Sequence, residues 1–241
     1  CLRYFQDKCN CYNLKSNNLY RYMNKDFINS FGCKLPLSKL IYQLDFTNFY
    51  PKTYFHINQL SDYQKTYFLK FSTYGGQNGV FKGNLSYLKN IIESGKYNDN
   101  YIVQEKVKNP ITYKNNNITF GVWFVLFKDK YYLYRKTTEI AVEDNNDNHT
   151  INLNYNTCRL EDLENYQKIL KNIMIISEQF LDKLMEYMKS FNITQNEICL
   201  SRFDFMVTEN YKPYILEINS CQIDLYGRQS FKDKLYCKDL Q

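Results

Sequence analysis

Three oxygen-bearing side chains that could bind a divalent metal ion lie close together in the sequence: Asp204, Glu217 and Asn219. They belong to the segment RFDFMVTENYKPYILEINS, residues 202–220, in which apolar and polar residues alternate on either side of a polar stretch. This alternation is typical of two β-strands joined by a turn. Carboxylate and amide oxygens are the hard ligands that Mg²⁺ prefers, often together with substrate phosphates. The segment therefore predicts a β-hairpin that carries a magnesium site.

The pairing of the two strands can be counted from the turn. A four-residue loop over residues 209–212 predicts three pairs: Thr208 with Pro213, Met206 with Ile215, and Asp204 with Glu217. The same alternation predicts that Ile215 and Asn219 lie on the face of Glu217. Because like charges directly opposite each other are destabilising, the two carboxylates require a cation or a proton between them. The alternative interpretation is the ordinary exposed face of an amphipathic hairpin.

A lysine next to a glycine-rich loop could bind phosphate groups. Lys70 lies near the end of a predicted strand, Tyr67–Phe71, and Gly75, Gly76 and Gly79 follow shortly after it. Backbone N–H groups of such a loop, together with a lysine ammonium, are suited to α- and β-phosphates. The spacing differs from that of a P-loop, so a simple hairpin turn is the alternative.

The hairpin segment resembles a known family signature. Residues 204–219, D-F-M-V-x-E-N-x-K-P-Y-I-L-E-I-N, resemble the C-terminal metal-binding signature of the tubulin-tyrosine ligase-like family, an ATP-grasp group that joins amino acids to proteins. Residues 101–127 resemble, without gaps, the family stretch that runs from the adenine-contacting segment to a central strand. Further blocks fit in the same order: Phe49–Thr53, Phe68–Lys70 with the glycine-rich loop, Tyr132–Lys136 and His149–Asn152.

The resemblance covers residues 49–241 and implies an ATP-grasp fold of the α+β (α/β) class. In that fold, antiparallel and mixed sheets are flanked by helices, and the nucleotide lies between subdomains. The resemblance divides the chain into a small N-terminal α/β piece, residues 1–48, and a ligase module, residues 49–241. It also implies ATP and Mg²⁺ as cofactors. With 241 residues the chain is long enough to bury the core of one such module.

The resemblance also assigns roles to individual residues. It makes Asp204, Glu217 and Asn219 the metal ligands. Lys70 would bind phosphate groups, and Arg135 would lie near the terminal phosphate and stabilise the charge of an acyl-phosphate intermediate. The other nucleotide contacts fall on five residues: Gln104, Glu105, Lys106, Val107 and Asn152. For His149 the choice lies between a general base and a loop histidine held by a backbone hydrogen bond.

One departure from the family pattern concerns substrate recognition. The central strand of the family begins K-F-D-x-R, but the ungapped alignment puts Asn117, Thr119 and Gly121 at the three charged positions. Two hypotheses follow. The first is an ATP-dependent amino-acid ligase with altered substrate recognition, which forms an amide or isopeptide bond through an acyl phosphate, on a protein or on another acceptor. The second is a catalytically silent ATP-grasp module that serves as a nucleotide- or partner-binding scaffold.

Composition narrows the range of partners. The net charge of +6 suits ATP and an acidic protein acceptor such as a tubulin C-terminal tail, with a free amino acid as the other substrate. The basic residues form no stripe with interleaved aromatics, so no nucleic-acid partner is expected. No apolar run reaches about 18 residues, and we expect a cytoplasmic protein without a membrane anchor. The amino acid, the acceptor and the oligomeric state are left open.

The eight cysteines are scattered along the chain without a C-x₂-C pair. Because the chain is large enough to fold without cross-links, they are expected to be reduced thiols. The alternative is a zinc site built from Cys9, Cys11, Cys33 and a fourth ligand.

Apolar periodicity predicts the elements that must position these residues. From Arg159 to Phe191, apolar residues recur with helical spacing, which predicts one long helix packed on a sheet. Strands are predicted over residues 101–104, 120–127 and 130–134, with a hairpin tip at Asn115–Asn117.

Overall fold

The computed structural model describes residues 21–23, 25–72, 79–97, 100–127, 129–135, 139–142, 160–191 and 197–220. The strands are β1 (Arg21–Tyr22), β2 (Thr53–Tyr54), β3 (Tyr67–Phe71), β4 (Val80–Gly83), β5 (Tyr101–Glu105), β6 (Thr112–Tyr113), β7 (Asn116–Phe127), β8 (Lys130–Leu133), β9 (Glu139–Val142), β10 (Glu197–Val207) and β11 (Pro213–Ser220). The α-helices are α1 (Lys25–Gly32), α2 (Lys34–Gln43), α3 (Leu85–Glu93) and α4 (Tyr166–Met188). Short 3₁₀ helices cover Thr47–Phe49, Ile57–Gln59 and Leu160–Asp162.

Within the described residues, the larger sheet has seven strands and is built around the long antiparallel pair β7 and β10. Strand β11 pairs with β10, while β8 and β9 pair with successive parts of β7. Along β10, residues from Cys199 to Val207 alternate strictly between buried and half-buried. This period of two gives the sheet an apolar face against the helices and a second face that carries Arg202 and Asp204.

The smaller sheet has four antiparallel strands in the order β2-β5-β3-β4. Its own core joins Leu69 and Val103 from the strands to Leu85 and Leu88 from helix α3. Helix α3 begins after Asn84, whose side chain accepts a hydrogen bond from the backbone N–H of Tyr87 at 2.9 Å. This N-cap satisfies one of the otherwise unpaired N–H groups of the first turn and thereby fixes where the helix starts.

Helix α4 is the predicted long helix, and its apolar stripe packs on the larger sheet as expected. The ring of Phe180 contacts that of Phe203 at 5.6 Å between centroids. The helix is shorter than predicted because Asn165 adopts a left-handed conformation, with φ of 58°, and separates it from the preceding 3₁₀ turn. Helices α1 and α2 enter the same core, where Phe27, Phe31 and Ile41 are fully buried.

The hairpin tip near residue 115 lies one position earlier than predicted. Lys114 and Asn115 have positive φ angles of 49° and 66°, which is the geometry of a tight two-residue turn. Asn116 and Asn117 therefore already belong to strand β7 and pair with Tyr113 and Thr112.

The β10–β11 hairpin forms, but its turn differs from the predicted one. The predicted pairs of Thr208 with Pro213 and of Met206 with Ile215 are wrong. Val207 pairs with Pro213 and Phe205 with Ile215, because Thr208 joins the loop and hydrogen-bonds within it through its backbone N–H and the carbonyl oxygen of Lys212, at 3.0 Å.

A β-bulge restores the predicted register at the carboxylates. The register shifts between Asp204 and Phe205, so that Leu216 is the extra residue on β11 and Asp204 pairs with Glu217. A bulge changes the alternation of a strand, since two residues then oppose one. Ile215 consequently lies fully buried on the core face, and not on the face of Glu217 as the plain alternation predicted.

The described ranges also bear on two expectations about the whole chain. No helix within them is both long enough and apolar enough to cross a bilayer. Cys33 and Cys199 are free thiols. Cys9 and Cys11, which the zinc alternative requires, lie outside the described residues.

The sheet–helix core supplies a test of the fold. Phe203 is fully buried and packs against Phe124 with a centroid distance of 4.6 Å, as well as against Phe180. Phe203→Ala should lower the free energy of unfolding by ~3–5 kcal/mol, because it leaves a cavity where three rings meet. Denaturant unfolding measures the change. The half-exposed Tyr132 is the control, and Tyr132→Ala should change stability by about 0.5 kcal/mol or less.

Candidate functional site

Two carboxylates face each other on the surface of the larger sheet that lies opposite its helix-covered core. Asp204 on β10 pairs directly with Glu217 on β11, as predicted. Asn219, two residues further along β11, donates from Nδ2 to Oδ2 of Asp204 at 2.7 Å and to Oε1 of Glu217 at 3.4 Å. The Asp204 side chain is only 15% exposed. The structure thus brings all three predicted metal ligands together at one partly buried point.

Arg202 joins this group, although the sequence prediction did not include it. Its Nε and Nη2 atoms donate to Oδ1 and Oδ2 of Asp204 at 2.8 and 3.0 Å, which is a bidentate ion pair. The guanidinium also lies 5.6 Å from the centroid of the Trp123 ring. The signal in the sequence was the spacing: residues 202 and 204 of one strand share a face.

Burial and like charge dominate the electrostatics of the pair. Burial raises the pKa of Asp204 above its ordinary value, and the neighbouring Glu217 carboxylate raises it further, while the Arg202 guanidinium opposes both effects. The desolvated carboxylate therefore depends on positive charge nearby to remain ionised.

Lys70 on the smaller sheet interacts electrostatically with Glu217. It lies on β3 between Ile102 on β5 and Val80 on β4. Burial lowers the pKa of Lys70 to about 8, and the Glu217 carboxylate opposes that shift. Lys70 is therefore close enough to Glu217 for the two charges to interact, so the two sheets contribute opposite charges to one site.

The predicted adenine segment begins inside the smaller sheet. Gln104 is 1% exposed, and its Nε2 donates to Oγ1 of Thr53 at 3.0 Å. Glu105 accepts from Tyr54 and forms an ion pair with Lys65 at 2.6 Å. These side chains hold the end of β5 in place.

Beyond Glu105 the chain leaves the sheet. Lys106 is exposed, while Val107 is buried. The backbone of these two residues is thus the part of the predicted adenine segment that lies outside the strand.

A buried tyrosine that the sequence did not single out lies next to this segment. The hydroxyl groups of Tyr50 and Ser38 are 2.9 Å apart. Burial raises the pKa of Tyr50 far above its ordinary value, with hydrogen bonds to Ser38 and Gln104 opposing the shift and the Glu217 carboxylate adding to it. Tyr50 is therefore buried within electrostatic range of Glu217 and near Gln104 at the end of β5. Tyr50 belongs to the block Phe49–Thr53 that fits the family pattern, but that block does not show its partners, which come from other segments.

Arg135 does not join the cluster. Its side chain is 68% exposed and forms an ion pair with Glu178 on helix α4. Tyr131, four residues earlier, donates from its hydroxyl to Asp182 of the same helix at 2.9 Å. Both side chains lie on the helix-covered face of the larger sheet, whereas Asp204 and Glu217 lie on the opposite face.

Several predicted site residues lie outside the described ranges. They are Asn152, His149 and most of the glycine-rich loop, residues 73–78. Their predicted roles stay predictions.

A cavity lies between the tip end of the β10–β11 hairpin and the segment of residues 42–52. It has a volume of about 250 Å³ and is lined by eight residues: Tyr42, Thr47, Asn48, Tyr50, Pro51, Lys52, Lys212 and Tyr214. The Lys52 side chain is 67% exposed. The Lys212 ammonium lies 4.9 Å from the centroid of the Tyr214 ring. The cavity therefore combines aromatic walls with two positive charges.

The donor set at the carboxylate pair fits a magnesium ion. Asp204 and Glu217 supply two hard carboxylates at adjacent positions, and the like charges of the pair call for a cation between them. The Asn219 side chain presents its nitrogen to both carboxylates, and a half-turn of the amide group would present its oxygen instead. The described residues hold no cluster of three or more Asp, Glu, His or Cys side chains suited to a metal. Asparagine is therefore the third ligand available here.

One of the three uncharged positions of the central strand, Gly121, lies opposite this site. Gly121 pairs with Asp204, and Trp123, two residues along β7, pairs with Arg202. Thr119 is 5% exposed. The side-chain cation that contacts Asp204 is thus Arg202 on β10, while the neighbouring position on β7 carries no side chain.

These features define a class of protein. The chain has a mixed α+β fold of the ATP-grasp type, with antiparallel sheets flanked by helices and charged residues of both sheets meeting at one site. Residues 128–221 match the model of the tubulin-tyrosine ligase family. Over these residues the match confirms the resemblance to the tubulin-tyrosine ligase family seen in the sequence, and this similarity supports an ATP-dependent, ligase-type activity. No curated protein matches the chain.

The lowered pKa of Lys70 predicts a pH dependence of stability. Its value is about 8 in the folded chain, against an ordinary 10.5. Between these two values the unfolded chain binds more protons at this group, so its contribution makes stability rise with pH from about 8 to 10.5. Below that window the cost of burying the charged lysine is present in full.

Lys70→Met should therefore stabilise the protein at pH 7, and its advantage over the wild type should shrink towards pH 10. Denaturant unfolding of both proteins across this range measures the difference. Lys82→Met, on the neighbouring strand β4, is the control for losing a lysine from this sheet. If the stability difference between the wild type and Lys70→Met does not change with pH, the lowered pKa of Lys70 is contradicted.

Proposed function

We propose that this chain is an ATP- and Mg²⁺-dependent ligase that forms an amide or isopeptide bond between a free amino acid and a protein acceptor. The observation that carries the proposal is the convergence of Asp204 and Glu217 from one sheet with Lys70 from the other. Carboxylates suited to a metal ion, next to a lysine suited to phosphate groups, are what binding of a metal–nucleotide complex requires. The family match supports the same class of activity.

The proposed reaction has two steps. A carboxylate oxygen attacks the γ-phosphorus of ATP, the bond from that phosphorus to the β–γ bridging oxygen breaks, and ADP leaves. The amine nitrogen of the second substrate then attacks the carbonyl carbon of the acyl phosphate, loses a proton and expels inorganic phosphate. Negative charge moves between phosphate oxygens in the first step, so fixed positive charge at the site lowers its barrier.

The roles of the residues follow from their positions. Asp204, Glu217 and Asn219 would hold Mg²⁺, which supplies neutralisation of phosphate charge when bound. Lys70, with a pKa of about 8, is mostly protonated at neutral pH and brings its charge from the opposite sheet. The segment Gln104–Val107 would line the adenine, chiefly through the backbone beyond β5. We assign Arg135 no part in the transfer, because its guanidinium pairs with Glu178 on the other face of the sheet.

The cavity beside the hairpin tip suggests where an acceptor binds. Lys52 and Lys212 line it together with the hydroxyl-bearing rings of Tyr42, Tyr50 and Tyr214. Ammonium and phenol groups are suited to the carboxylates of an acidic peptide. We therefore propose an acidic protein segment, such as a tubulin C-terminal tail, as the acceptor. The free thiols Cys33 and Cys199 agree with a cytoplasmic setting.

The alternative is a module that binds nucleotide without turning it over. The absence of charged side chains at Asn117, Thr119 and Gly121 favours it, because Gly121 pairs directly with Asp204 and brings no cation to the site. The two functions differ in one observable. A ligase releases ADP when it is given ATP, free amino acids and an acidic peptide, whereas a scaffold binds ATP and leaves it intact.

The nucleotide site can be tested by ligand-induced stabilisation. ATP with Mg²⁺, at about 100 times its dissociation constant, should raise the melting temperature of the wild type by roughly 5 °C or more. Asp204→Asn and Glu217→Gln should lose this increase, because each removes a carboxylate that holds the metal. Thermal unfolding with ATP, Mg²⁺ or both measures it.

The matched control is Glu209→Gln in the exposed tip of the same hairpin, which should keep the full stabilisation. ATP turnover follows the same pattern if the chain is a ligase, with a loss of about 100-fold or more in Glu217→Gln. If the Glu217→Gln variant turns over ATP at the wild-type rate, Glu217 is not a metal ligand.

The acceptor cavity gives a separate prediction. Neutralising both of its lysines, in the double variant Lys52→Gln and Lys212→Gln, should raise the KM for an acidic peptide by about fivefold or more. The effect should weaken as salt is added, since both groups are near the surface. Steady-state ligation assays over a range of peptide concentrations measure it.

The control replaces two exposed lysines outside the cavity, Lys130→Gln and Lys171→Gln, which should leave this KM unchanged. Stabilisation by ATP with Mg²⁺ should be the same in both double variants. An unchanged KM in the cavity variant would show that the acceptor binds elsewhere.

A further inference from the structure

The contacts of Asp204 and Glu217 are unequal. Both oxygens of Asp204 accept from the Arg202 fork, and Oδ2 also accepts from Asn219. The hydrogen bond between Asn219 and Glu217 is a long one, at 3.4 Å. Each carboxylate has a positive charge nearby, but Asp204 accepts two direct hydrogen bonds from the Arg202 guanidinium, whereas Lys70 acts on Glu217 as a neighbouring charge.

The geometry of Arg202 shows that this partner is held firmly. Its side chain is 13% exposed, and its guanidinium lies against the ring of Trp123. Trp123 is opposite Arg202 across the β7–β10 pair, so the strand register itself places the ring beside the guanidinium. A planar guanidinium that stacks on an aromatic ring and grips a carboxylate with two N–H groups loses little further freedom in that position.

A metal ion and Arg202 compete for the same carboxylate. Two positive charges can share one carboxylate only at a cost in repulsion, which is larger in a partly buried site than in water. Three of the four lone pairs of Asp204 already accept hydrogen bonds from Arg202 and Asn219, so only one, on Oδ1, is left for a metal ion while both side chains stay in place. Binding of the ion thus favours release of the guanidinium, and a released guanidinium needs another anion.

We propose that Arg202 is a positioning residue that occupies Asp204 in the absence of ligands and passes to a phosphate group of the nucleotide when the metal ion binds. The inference rests on the proposed function, since it takes a phosphate as the second partner. Arginine is suited to both partners, because its fork matches carboxylate and phosphate alike. The consequence is thermodynamic coupling: the metal ion alone binds weakly, and the ion and the nucleotide each raise the affinity for the other.

Metal binding without nucleotide gives the first test. Mn²⁺, which prefers the same oxygen ligands, can be counted from the electron paramagnetic resonance signal of the free ion. Arg202→Gln should bind Mn²⁺ alone about tenfold more tightly than the wild type, because the charge that competes for Asp204 is gone. Arg202→Lys keeps the positive charge but not the two-pronged guanidinium, so its affinity for Mn²⁺ should lie between those of the wild type and Arg202→Gln.

Coupling gives the second test. In the wild type, a saturating concentration of ATP should tighten Mn²⁺ binding by roughly tenfold or more, and this factor should fall towards one in Arg202→Gln. Arg135→Gln is the matched control, because Arg135 is also paired with a carboxylate but on the opposite face of the sheet, and it should change neither quantity.

The outcomes separate the two proposals. If Arg202 has only a structural role, replacing it should lower the melting temperature. The affinity for Mn²⁺ and its coupling to ATP binding would then be unchanged or weaker, and this result would overturn the inference. If Arg202→Gln does not fold, Arg202→Lys carries the same comparison. If ATP fails to bind to any variant, the proposed function fails, whereas a gain of Mn²⁺ affinity in Arg202→Gln would still establish that Arg202 competes for Asp204.

Discussion

The arrangement of this protein around its site depends on one electrostatic constraint: two carboxylates stand opposite each other on neighbouring strands and are partly removed from water. Neither charge is stable there without compensation. The compensation comes from three strands in two sheets, which supply Arg202, Asn219 and Lys70. Such a site can bind a cation, because the surrounding positive and hydrogen-bonding groups already stabilise two neighbouring negative charges.

Local patterns were sufficient to predict much of this site. The alternation of residues 202–207 determines which side chains leave the core, so the sequence was sufficient to predict that Asp204 lies on the face away from it. The predicted pairing of Asp204 with Glu217 is also confirmed, but only because the bulge at Leu216 offsets the wrongly predicted turn. The long helix was equally accessible, because its apolar stripe repeats over many turns. Both features depend on near neighbours in the chain and on the period of one element.

Features that depend on tertiary packing could not be predicted from the sequence in this way. Arg135 follows strand β8 on the side that faces helix α4, and Glu178 binds it there. The environment of the Tyr50 hydroxyl is set by Ser38 and Gln104, which lie in two other segments of the chain. A sequence pattern cannot show which face of a sheet a distant helix will cover, nor which buried hydroxyl groups will meet. The resemblance to a family assigned Arg135 a role without showing what surrounds it in this chain.

The single extra residue at Leu216 has a consequence for how this hairpin can vary. The tip is fastened to helix α4, where Asn172 donates to the carbonyl oxygen of Tyr211 at 2.8 Å, while the far end of the hairpin holds the carboxylates. The bulge lies between these two anchors and absorbs the mismatch of one residue between them. A residue added to or removed from the tip could therefore be taken up at the bulge, while the same pair of acids stays aligned.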